Sequence, residues 1–504
     1  MTQGLSTAVI SPEQQAQPFV PWSRNPEWVP LVDPTVGTQG ICMLWAVWEG
    51  ITNPVALTVS GAYTVDWGDG LGPVSYTSGA TAQKLLSWAD YSSGTLTSKG
   101  YRQALIKVAP QAGQLLTTVN TSVKNTANAL PNLYSTGLLD LVARLPSASS
   151  ITFGAASGTV IHSMCERVRV LGPTSDPSPA RFVGGAGSGI AGFPAMRYFG
   201  DLDCAGATGL AYMFQNCYSL EQVGSFTNTS SVTTVVAMFA NCSSLVELPL
   251  IDSFASVTNM STFASGCSRL RTVPHYNTSS VNNMYQAFYL CPSLTSVPTF
   301  NTAMVSNMGQ AFRGSGLRVA PLFDLSACTT ADQMFYQCPS LVSIPAYNLP
   351  LCTALSDFAN GCIALTSVGA MTNTGSVSSW LRAFSGCIGL QTLPMMDTSG
   401  ATNMTAVVNL CSSLRSIPAW NVANCTTFAS AFTGCQSLES VLIVGSRYSM
   451  NFASCSLSSA ALDTIYTNLG TAAGAQTITV TSNYGTTGDT PSIATSKGWT
   501  VTGS

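Results

Sequence analysis

The pattern of apolar positions repeats along the second half of the chain with a period of 24 or 25 residues, shortened to 23 once, at Cys338. A small residue, nearly always cysteine, opens each period, and in most copies a leucine follows three residues later. A fixed period of this length is typical of a solenoid, because one coil cannot bury its apolar face and a stack of coils can. We name the opening residues the anchors: Cys217, Cys242, Cys267, Cys291, Ser315, Cys338, Cys362, Cys387, Cys411 and Cys435.

Within one period the pattern predicts a short strand, a turn and a short helix. Met284, Phe288 and Cys291 have the i, i+4, i+7 spacing of one helical face. Residues 294–297, Leu-Thr-Ser-Val, predict a short strand, and the proline that follows suits an edge or a turn. An Asn or Asp fourteen residues before most anchors suits a turn closed by its own side chain. The expected fold class is therefore an α/β solenoid preceded by an all-β domain.

The pattern changes on both sides of the regular coils and predicts five regions. Residues 1–40 are rich in Pro and Gln without a period, and we expect an extended arm used for attachment. Alternating strands predict an all-β domain over 41–112. Degenerate copies of the repeat predict an N-terminal cap with a Gly/Pro-rich loop over 113–200. The regular coils span 201–455, and a helical stripe followed by strands predicts a C-terminal cap over 456–504.

Composition narrows the class of protein. The chain has 504 residues, of which 46% are hydrophobic and 8% are charged, and its net charge is −3. A chain with so few charges and no basic run offers little attraction to nucleic acid or anionic lipid. Its longest apolar run, residues 41–48, is far shorter than the roughly 20 residues that span a bilayer. The opening residues show no basic segment followed by an apolar one, so we expect neither membrane insertion nor a signal peptide.

The sixteen cysteines follow the repeat rather than a metal-binding pattern. The chain has two histidines and no Cys-x-x-Cys pair, which disfavours a Cys/His zinc site. Ten residues before the anchors, Cys328, Cys352 and Cys425 exchange with Val and Ala, as small buried side chains do. Disulfides between neighbouring coils remain an alternative on distance alone. We expect no metal, no cofactor and a core of reduced thiols that includes Cys217, Cys242, Cys267, Cys291, Cys338, Cys362, Cys387, Cys411 and Cys435.

Few residues suggest chemistry at a site. Asp69, in a Trp-Gly-Asp-Gly turn, and His275 are expected to be a turn residue and a surface residue, because neither has an evident partner. No nucleophile–base pair or carboxylate pair is evident, so no catalytic residue is predicted. One aromatic column is a binding candidate: exposed rings would stack on sugars, whereas buried rings would form a core layer. This column is Tyr276, Phe300, Phe323, Tyr347 and Trp420.

Two parts of the chain resemble known families. The copies "NTSSVTTVVAMFANCSSLVELP" (228–249) and "NTSSVNNMYQAFYLCPSLTSVP" (277–298) resemble BspA-type leucine-rich repeats, and the resemblance covers residues 195–455. It implies a leucine-rich-repeat solenoid and surface binding without catalysis, as on bacterial surface proteins, adhesins and bacteriophage proteins. The turn in "YTVDWGDG" (63–70) resembles PKD-type immunoglobulin-like domains, which implies a β-sandwich spacer over 41–112.

These observations favour a non-enzymatic bacteriophage virion appendage, either a tail fibre or a head fibre or decoration protein, whose solenoid adheres to the host surface. A bacterial surface or secreted adhesin and a purely architectural virion protein remain alternatives. The expected partners are other virion proteins through residues 1–40, a host-surface glycan or protein, and further copies of the chain, with no nucleic acid. The expected location is the virion, or the bacterial cell surface under the adhesin alternative.

Overall fold

The computed structural model describes residues 22–126, 134–153, 160–177 and 193–503. Regular structure within these residues is mostly β, with two short α-helices near the C-terminus. Two predicted features lie wholly or mostly outside the described residues: the start of the arm, residues 1–21, and the Gly/Pro-rich loop, which falls mostly on 178–192. One apolar core extends through the described chain, from Ile41 in the first sheet to Trp499 in the last strand.

The N-terminal part consists of two small sheets. Its strands are β1 (Gly40–Val47), β2 (Pro54–Ser60), β3 (Tyr63–Asp66), β4 (Val74–Tyr76), β5 (Thr81–Leu85), β6 (Arg102–Pro110) and β7 (Thr118–Asn120). In the first sheet β1 pairs antiparallel with β6, and β3 and β4 follow beyond β6. In the second sheet β2 lies between β5 and β7. The alternation predicted for residues 63–66 is present, since Tyr63 and Val65 are buried in the core.

Both sheets continue without a break into the first coils of the solenoid. These coils contribute β8 (Tyr134–Ser135), β9 (Leu138–Arg144), β10 (Ser150–Thr152), β11 (Val160–Ile161), β12 (Arg167–Val170), β13 (Tyr198–Phe199), β14 (Leu202–Asp203), β15 (Gln222–Val223) and β16 (Phe226–Thr227). Strand β9 pairs antiparallel with β1 on one side and parallel with β12 on the other. Strand β10 extends the second sheet from β7. The predicted boundary at residue 112 thus lies inside shared sheets, because β1 supplies the partner that the edge of the first coil needs.

In the regular coils the strands shrink to pairs of residues and isolated bridges. The longer pieces are β17 (Ser343–Ile344), β18 (Tyr347–Asn348), β19 (Ser367–Val368), β20 (Met371–Thr372), β21 (Ser416–Asn421) and β22 (Ser440–Val444). They join neighbouring coils in parallel, as Ser343 does with Ser367. A proline follows this position in most coils, and its missing N–H keeps the ladder short. The stacked coils form a solenoid.

The short helix predicted for each coil is wrong, because the segment is a run of turns, which we name the turn run. The amide of Met284 donates to the Asn307 carbonyl of the next coil at 2.9 Å, and the amide of Gln286 crosses in the same way. The amide of Ala287, the next residue, donates three residues back to Met284. An α-helix would instead send every amide four residues back within its own coil.

Left-handed residues prevent the helix. In the coil of Cys291 they are Gln286, with φ 55°, and Leu290, with φ 53°. The same two positions are left-handed in every coil from the Cys217 anchor to the Cys435 anchor, and a helix of L-residues cannot include them without strain. Met284, Phe288 and Cys291 are nevertheless fully buried. The spacing therefore predicted the buried face correctly and the backbone wrongly.

The nine anchor cysteines are fully buried, and all sixteen cysteines are unpaired. From Cys242 onward each anchor thiol donates to a backbone carbonyl of the preceding coil; Cys387 Sγ, for example, lies 3.1 Å from the Ala359 oxygen. The Ala359 oxygen also accepts the amide of Cys362, so the thiol of Cys387 bonds to the second lone pair of this carbonyl oxygen. Burial raises the pKa of the Cys217 thiol to about 12.

The C-terminal cap adds β23 (Met450–Asn451), β24 (Gln476–Thr479) and β25 (Trp499–Thr502) in parallel, together with α1 (Ser459–Asn468) and α2 (Ser492–Thr495). The Ser458 side chain accepts the Ala461 amide at 3.3 Å and caps α1. Helix α1 buries Leu462, Ile465 and Tyr466, which belong to the helical stripe predicted from the sequence. These side chains cover the apolar end of the last coil.

Candidate binding face of the solenoid

The outward side chains of the parallel strands form one row along the solenoid, which we name the strand face. Strand register fixes the row: Arg167 pairs with Tyr198, and Tyr198 pairs with Gln222. Small hydroxyl residues dominate it after the first members. The row is Arg167, Tyr198, Gln222, Glu247, Thr272, Ser296, Val319, Ser343, Ser367, Thr392, Ser416 and Ser440.

In several coils an exposed apolar side chain lies beside the strand face, three residues further along the chain, and we name these side chains the apolar shoulder. Its most exposed side chains are Leu250, Leu322 and Met395, with 69%, 66% and 67% of their area open. A cavity of 490 Å³ lies at Leu250 and is also lined by Pro274, and a second of 370 Å³ lies at Met395. The shoulder offers apolar contact area next to the hydroxyl groups of the strand face.

The aromatic column predicted as a binding site lies beneath this shoulder. Tyr276, Phe300, Phe323, Tyr347 and Trp420 are 2%, 2%, 4%, 2% and 0% exposed. Each ring directly follows an exposed residue, and the alternation of extended chain turns it inward. The hydroxyls of Tyr276 and Tyr347 donate to proline carbonyls of the preceding coil at 2.8 and 2.7 Å. The column is a core layer that a ligand does not reach, which corrects the binding prediction.

Residues 22–34, which we name the strap, lie across the start of the strand face. The Trp22 ring stacks on Tyr198 with centroids 5.3 Å apart, and its Nε1 donates to Glu166 at 3.3 Å. Trp28 is 3% exposed and donates from Nε1 to the Tyr101 hydroxyl at 2.9 Å. This part of the predicted arm is therefore bound to the chain's own sheet.

Ion pairs fasten the strap. The fully buried Asp140 carboxylate accepts from Arg24 of the strap and Arg167 of the strand face, each at 2.8 Å. The Asp33 carboxylate accepts hydrogen bonds from Nη1 and Nη2 of Arg169 at 2.9 and 2.6 Å. Forked arginine–carboxylate pairs fix orientation as well as adding energy. The strand face thus holds the strap through ring stacking and ion pairs.

Beyond the strap, charges of both signs lie beside the strand face, one residue before its members in the chain. Glu221 pairs with Arg197 at 2.8 Å, and Glu439 lies 3.8 Å from Arg415. Partly exposed pairs of this kind add little stability and leave little net field. Electrostatic steering of a charged partner toward this face is therefore weak.

The two remaining candidates are Asp69 and His275. One Asp69 oxygen accepts the Leu71 amide at 3.0 Å, and the other pairs with Lys84. Burial raises the pKa of the Asp69 carboxyl, but hydrogen bonds from Lys84 and Leu71 outweigh burial and hold the pKa below its usual value. Asp69 therefore closes a turn, and His275 is exposed. The described residues include no group of three His, Cys, Asp or Glu placed to hold a metal ion.

Across the described parts of the chain, the structure contains no helix with the length and apolar character needed to cross a membrane.

Sequence reasoning missed the strap. A signal was present, since Arg24 and Asp33 stand out in a chain with 8% charged residues and lie near Trp22 and Trp28. Their partners are 116 and 136 residues away. No local pattern reveals contacts at such separations.

Two family profiles match the solenoid. Residues 198–275 and 258–367 match the family described as "Mycoplasma protein of unknown function, DUF285". Residues 355–480 match the family described as "BspA type Leucine rich repeat region (6 copies)". The second match confirms leucine-rich repeats of the BspA type in the C-terminal coils. No curated protein matches the chain.

Two solved structures align with this chain. A leucine-rich repeat protein from Eubacterium ventriosum is 15% identical, with 63% of this chain and 85% of that chain covered and a TM-score of 0.23. The TLR13 chain of a TLR13–ssRNA13 complex is 13% identical, with 70% of this chain covered and a TM-score of 0.21. The alignment spans 61% of that chain, less than two thirds of its length.

Proposed function

We propose that this chain is a non-enzymatic binding protein that holds a surface partner on the open part of the strand face, from Gln222 to Ser440. The strap is the observation that carries the proposal. It shows that the start of the same face accepts an extended segment through ring stacking and ion pairs. The open part continues the row mostly with hydroxyl groups, and the apolar shoulder lies beside it.

Repeats of the BspA type support a surface or adhesion role, because proteins with such repeats include surface proteins and adhesins. The partner is a host-surface glycan or protein. Individual contacts on a nearly neutral face are weak, so adhesion gains strength from many copies and depends little on salt.

The finer proposal is a virion appendage, a tail fibre or a head fibre or decoration protein, that works without a catalytic group or cofactor. Residues 1–21 attach it to other virion proteins, since the strap is engaged internally. The two N-terminal sheets, with their Trp-Gly-Asp-Gly turn, serve as a PKD-type immunoglobulin-like spacer. A bacterial surface adhesin would use the same face, whereas a purely architectural virion protein would leave it empty.

The test is adsorption of the full chain, displayed in many copies on beads, to a panel of bacterial cells. A strand-face variant carries Thr272→Glu, Ser296→Glu and Ser367→Glu, three exposed positions. A matched control carries Asn282→Glu, Thr433→Glu and Gln436→Glu, also exposed but outside the strand face. Both variants add the same charge, so a difference between them reports the face alone.

The strand-face variant should adsorb at least about tenfold less than the wild type, because three buried unpaired charges would cost several kcal/mol at the interface. The control should adsorb normally. Equal adsorption of both variants would refute the strand face as the contact surface. A folded wild-type chain that adsorbs to no cell would favour the architectural alternative.

A further inference from the structure

A second group of unusual residues lies on the turn run, away from the strand face. Its members are aromatic and polar side chains of three successive coils. We name them the turn-face cluster: Tyr285, Tyr289, Arg313, Gln333 and Tyr336.

Arg313 is stacked between two tyrosines. Its guanidinium carbon lies 4.5 Å from the ring centroid of Tyr336 and 5.6 Å from that of Tyr289. The three side chains occupy the same position in neighbouring coils, two residues before the anchor. Rings on both sides of a guanidinium attract the cation and fix the plane of its donors.

One nitrogen of the Arg313 guanidinium donates a hydrogen bond within the protein, and the other two nitrogens have no protein acceptor among the described residues. Its Nη1 donates to Gln333 Oε1 at 2.6 Å. Gln333 also bonds the Asp357 side chain, whose carboxylate is bound by Arg382 at 2.7 and 2.9 Å. Asp357 is thereby neutralised by Arg382. Among the described residues no carboxylate lies within 4.0 Å of Arg313, so its charge and its Nε and Nη2 donors are unpaired.

Stabilising the stack of coils does not by itself explain this cluster. Other coils form the same turn run with small residues at the Arg313 position, including Ala240, Ser265, Ser385 and Thr433. A cation–π contact adds only about 0.5–1 kcal/mol at an exposed site. An arginine with no counter-charge, in a chain with 8% charged residues, is better suited to an external anion.

An aromatic surface lies next to this cation. The Tyr285 ring lies against Gly309 of the next coil, 3.3 Å from the place that a β-carbon would occupy there. Tyr285 is 36% exposed. Gly309 lies four residues before Arg313 in the same turn run, which places the Tyr285 ring and the guanidinium on neighbouring coils. Aromatic faces give sugars contact area at low entropic cost.

We propose that the turn-face cluster binds an acidic oligosaccharide, with a sugar carboxylate on the free edge of Arg313 and a sugar ring against Tyr285. The fork of guanidinium donors matches a carboxylate in two hydrogen bonds. This site is separate from the strand face, so it goes beyond the adhesion surface proposed above.

The experiment measures binding of the full chain to immobilised polygalacturonate, with neutral dextran and poly-glutamate as comparison surfaces. Arg313→Gln removes the charge, and Arg313→Lys keeps the charge but removes the fork. Arg318→Gln is the matched control, because Arg318 is an exposed arginine on the strand side of the coil. Circular dichroism and urea unfolding establish that each variant is folded.

Polygalacturonate should bind more tightly than either comparison surface. Arg313→Gln should weaken binding at least about tenfold, Arg313→Lys and Tyr285→Ala at least about threefold, and Arg318→Gln not at all. Absence of binding by folded wild type, or equal binding by Arg313→Gln, would overturn the proposal. Equal binding to poly-glutamate would overturn the sugar assignment. The triple strand-face variant should bind polygalacturonate normally, so failure of one site does not imply failure of the other.

Discussion

The anchor cysteines from Cys242 onward donate a hydrogen bond to the preceding coil as well as filling space. Nine anchors are cysteine and one is serine, both small side chains with a donor, and neither Val nor Ala occurs there. Ten residues earlier, Val and Ala do replace cysteine. There the thiols of Cys328, Cys352 and Cys425 donate to a carbonyl two residues along their own coil. We infer that the bond to the carbonyl of the preceding coil favours a donor at the anchor.

Two variants of one anchor separate the hydrogen bond from simple burial. Cys387→Ser keeps a donor for the Ala359 carbonyl, whereas Cys387→Ala removes it. We expect the serine variant to be more stable to urea by about 1 kcal/mol, the usual net value of such a bond. If burial alone mattered, alanine would be the more stable, because burying a hydroxyl without a partner is costly. A serine variant less stable than the alanine variant would exclude the donor role.

A buried histidine makes stability depend on pH. Full burial lowers the pKa of His162 from 6.5 to about 4, and its Nδ1 lies 2.7 Å from the Thr136 hydroxyl. Between pH 6.5 and about 4, His162 is therefore protonated in the unfolded chain and neutral in the folded chain. Stability is full above pH 6.5 and falls as the pH drops, by up to about 3 kcal/mol at pH 4.

The measurement is urea unfolding at pH 7.0 and pH 4.5 for the wild type and His162→Gln. Carboxylates also titrate towards the acid end, so the informative quantity is the difference between the two proteins. The glutamine variant should lose about 2–3 kcal/mol less than the wild type over this range. Equal losses would show that His162 is protonated without cost in the folded state.

At the scale of the element, the sequence predicts burial better than backbone conformation. The turn at the Asn/Asp column was predictable because its hydrogen bond is local: Asn301 Oδ1 accepts the Ala303 amide at 3.2 Å. The turn run was not predictable from the sequence. Met284, Phe288 and Cys291 would face inward in a helix, and they also face inward in the turn run. Only the amides that cross between coils distinguish the two, and spacing within one coil does not contain them.

Left-handed positions in the turn run should tolerate or favour glycine. Ala406 has φ 52°, a conformation that costs an L-residue about 1–2 kcal/mol. Glycine costs about 0.5–1 kcal/mol in backbone entropy, so Ala406→Gly should leave stability unchanged or raise it by up to about 1 kcal/mol. Ala423 is the control: it is exposed and has no left-handed φ, so Ala423→Gly should destabilise. Equal destabilisation in urea melts would contradict the left-handed assignment.

At the scale of the whole molecule, the sequence did not reveal that the N-terminal sheets continue into the coils of the solenoid. Composition and period marked the repeats and both ends, but β1 pairs with β9 across about 100 residues of chain. The strap bridges a greater separation still. Long-range pairing of this kind depends on which edges remain open after the coils stack, and a single sequence does not show those edges. The same limit hid the turn-face cluster, whose members are neighbours only across coils.

Loss of the strap should weaken the fold. A chain that begins at Ile41 lacks Trp28, which is 3% exposed, and leaves the buried Asp140 with fewer partners. Removing a buried tryptophan costs about 3–5 kcal/mol, and a buried carboxylate that loses a partner adds to this. Relative to a chain that begins at Trp22, the urea midpoint should fall clearly. An unchanged midpoint would mean that the strap contributes no net stability.

Removal of both N-terminal sheets should prevent stable folding altogether. A chain that begins at Gly113 keeps β9 but loses β1, its antiparallel partner. Strand β9 is buried along almost its whole length, so deletion exposes an apolar strand with an unpaired edge. Such an edge pairs with other chains, and we expect aggregated material on size-exclusion chromatography, whereas the chain from Trp22 should elute as a discrete species. If the chain from Gly113 is soluble and unfolds at the same urea concentration, then the N-terminal strands do not cap the solenoid.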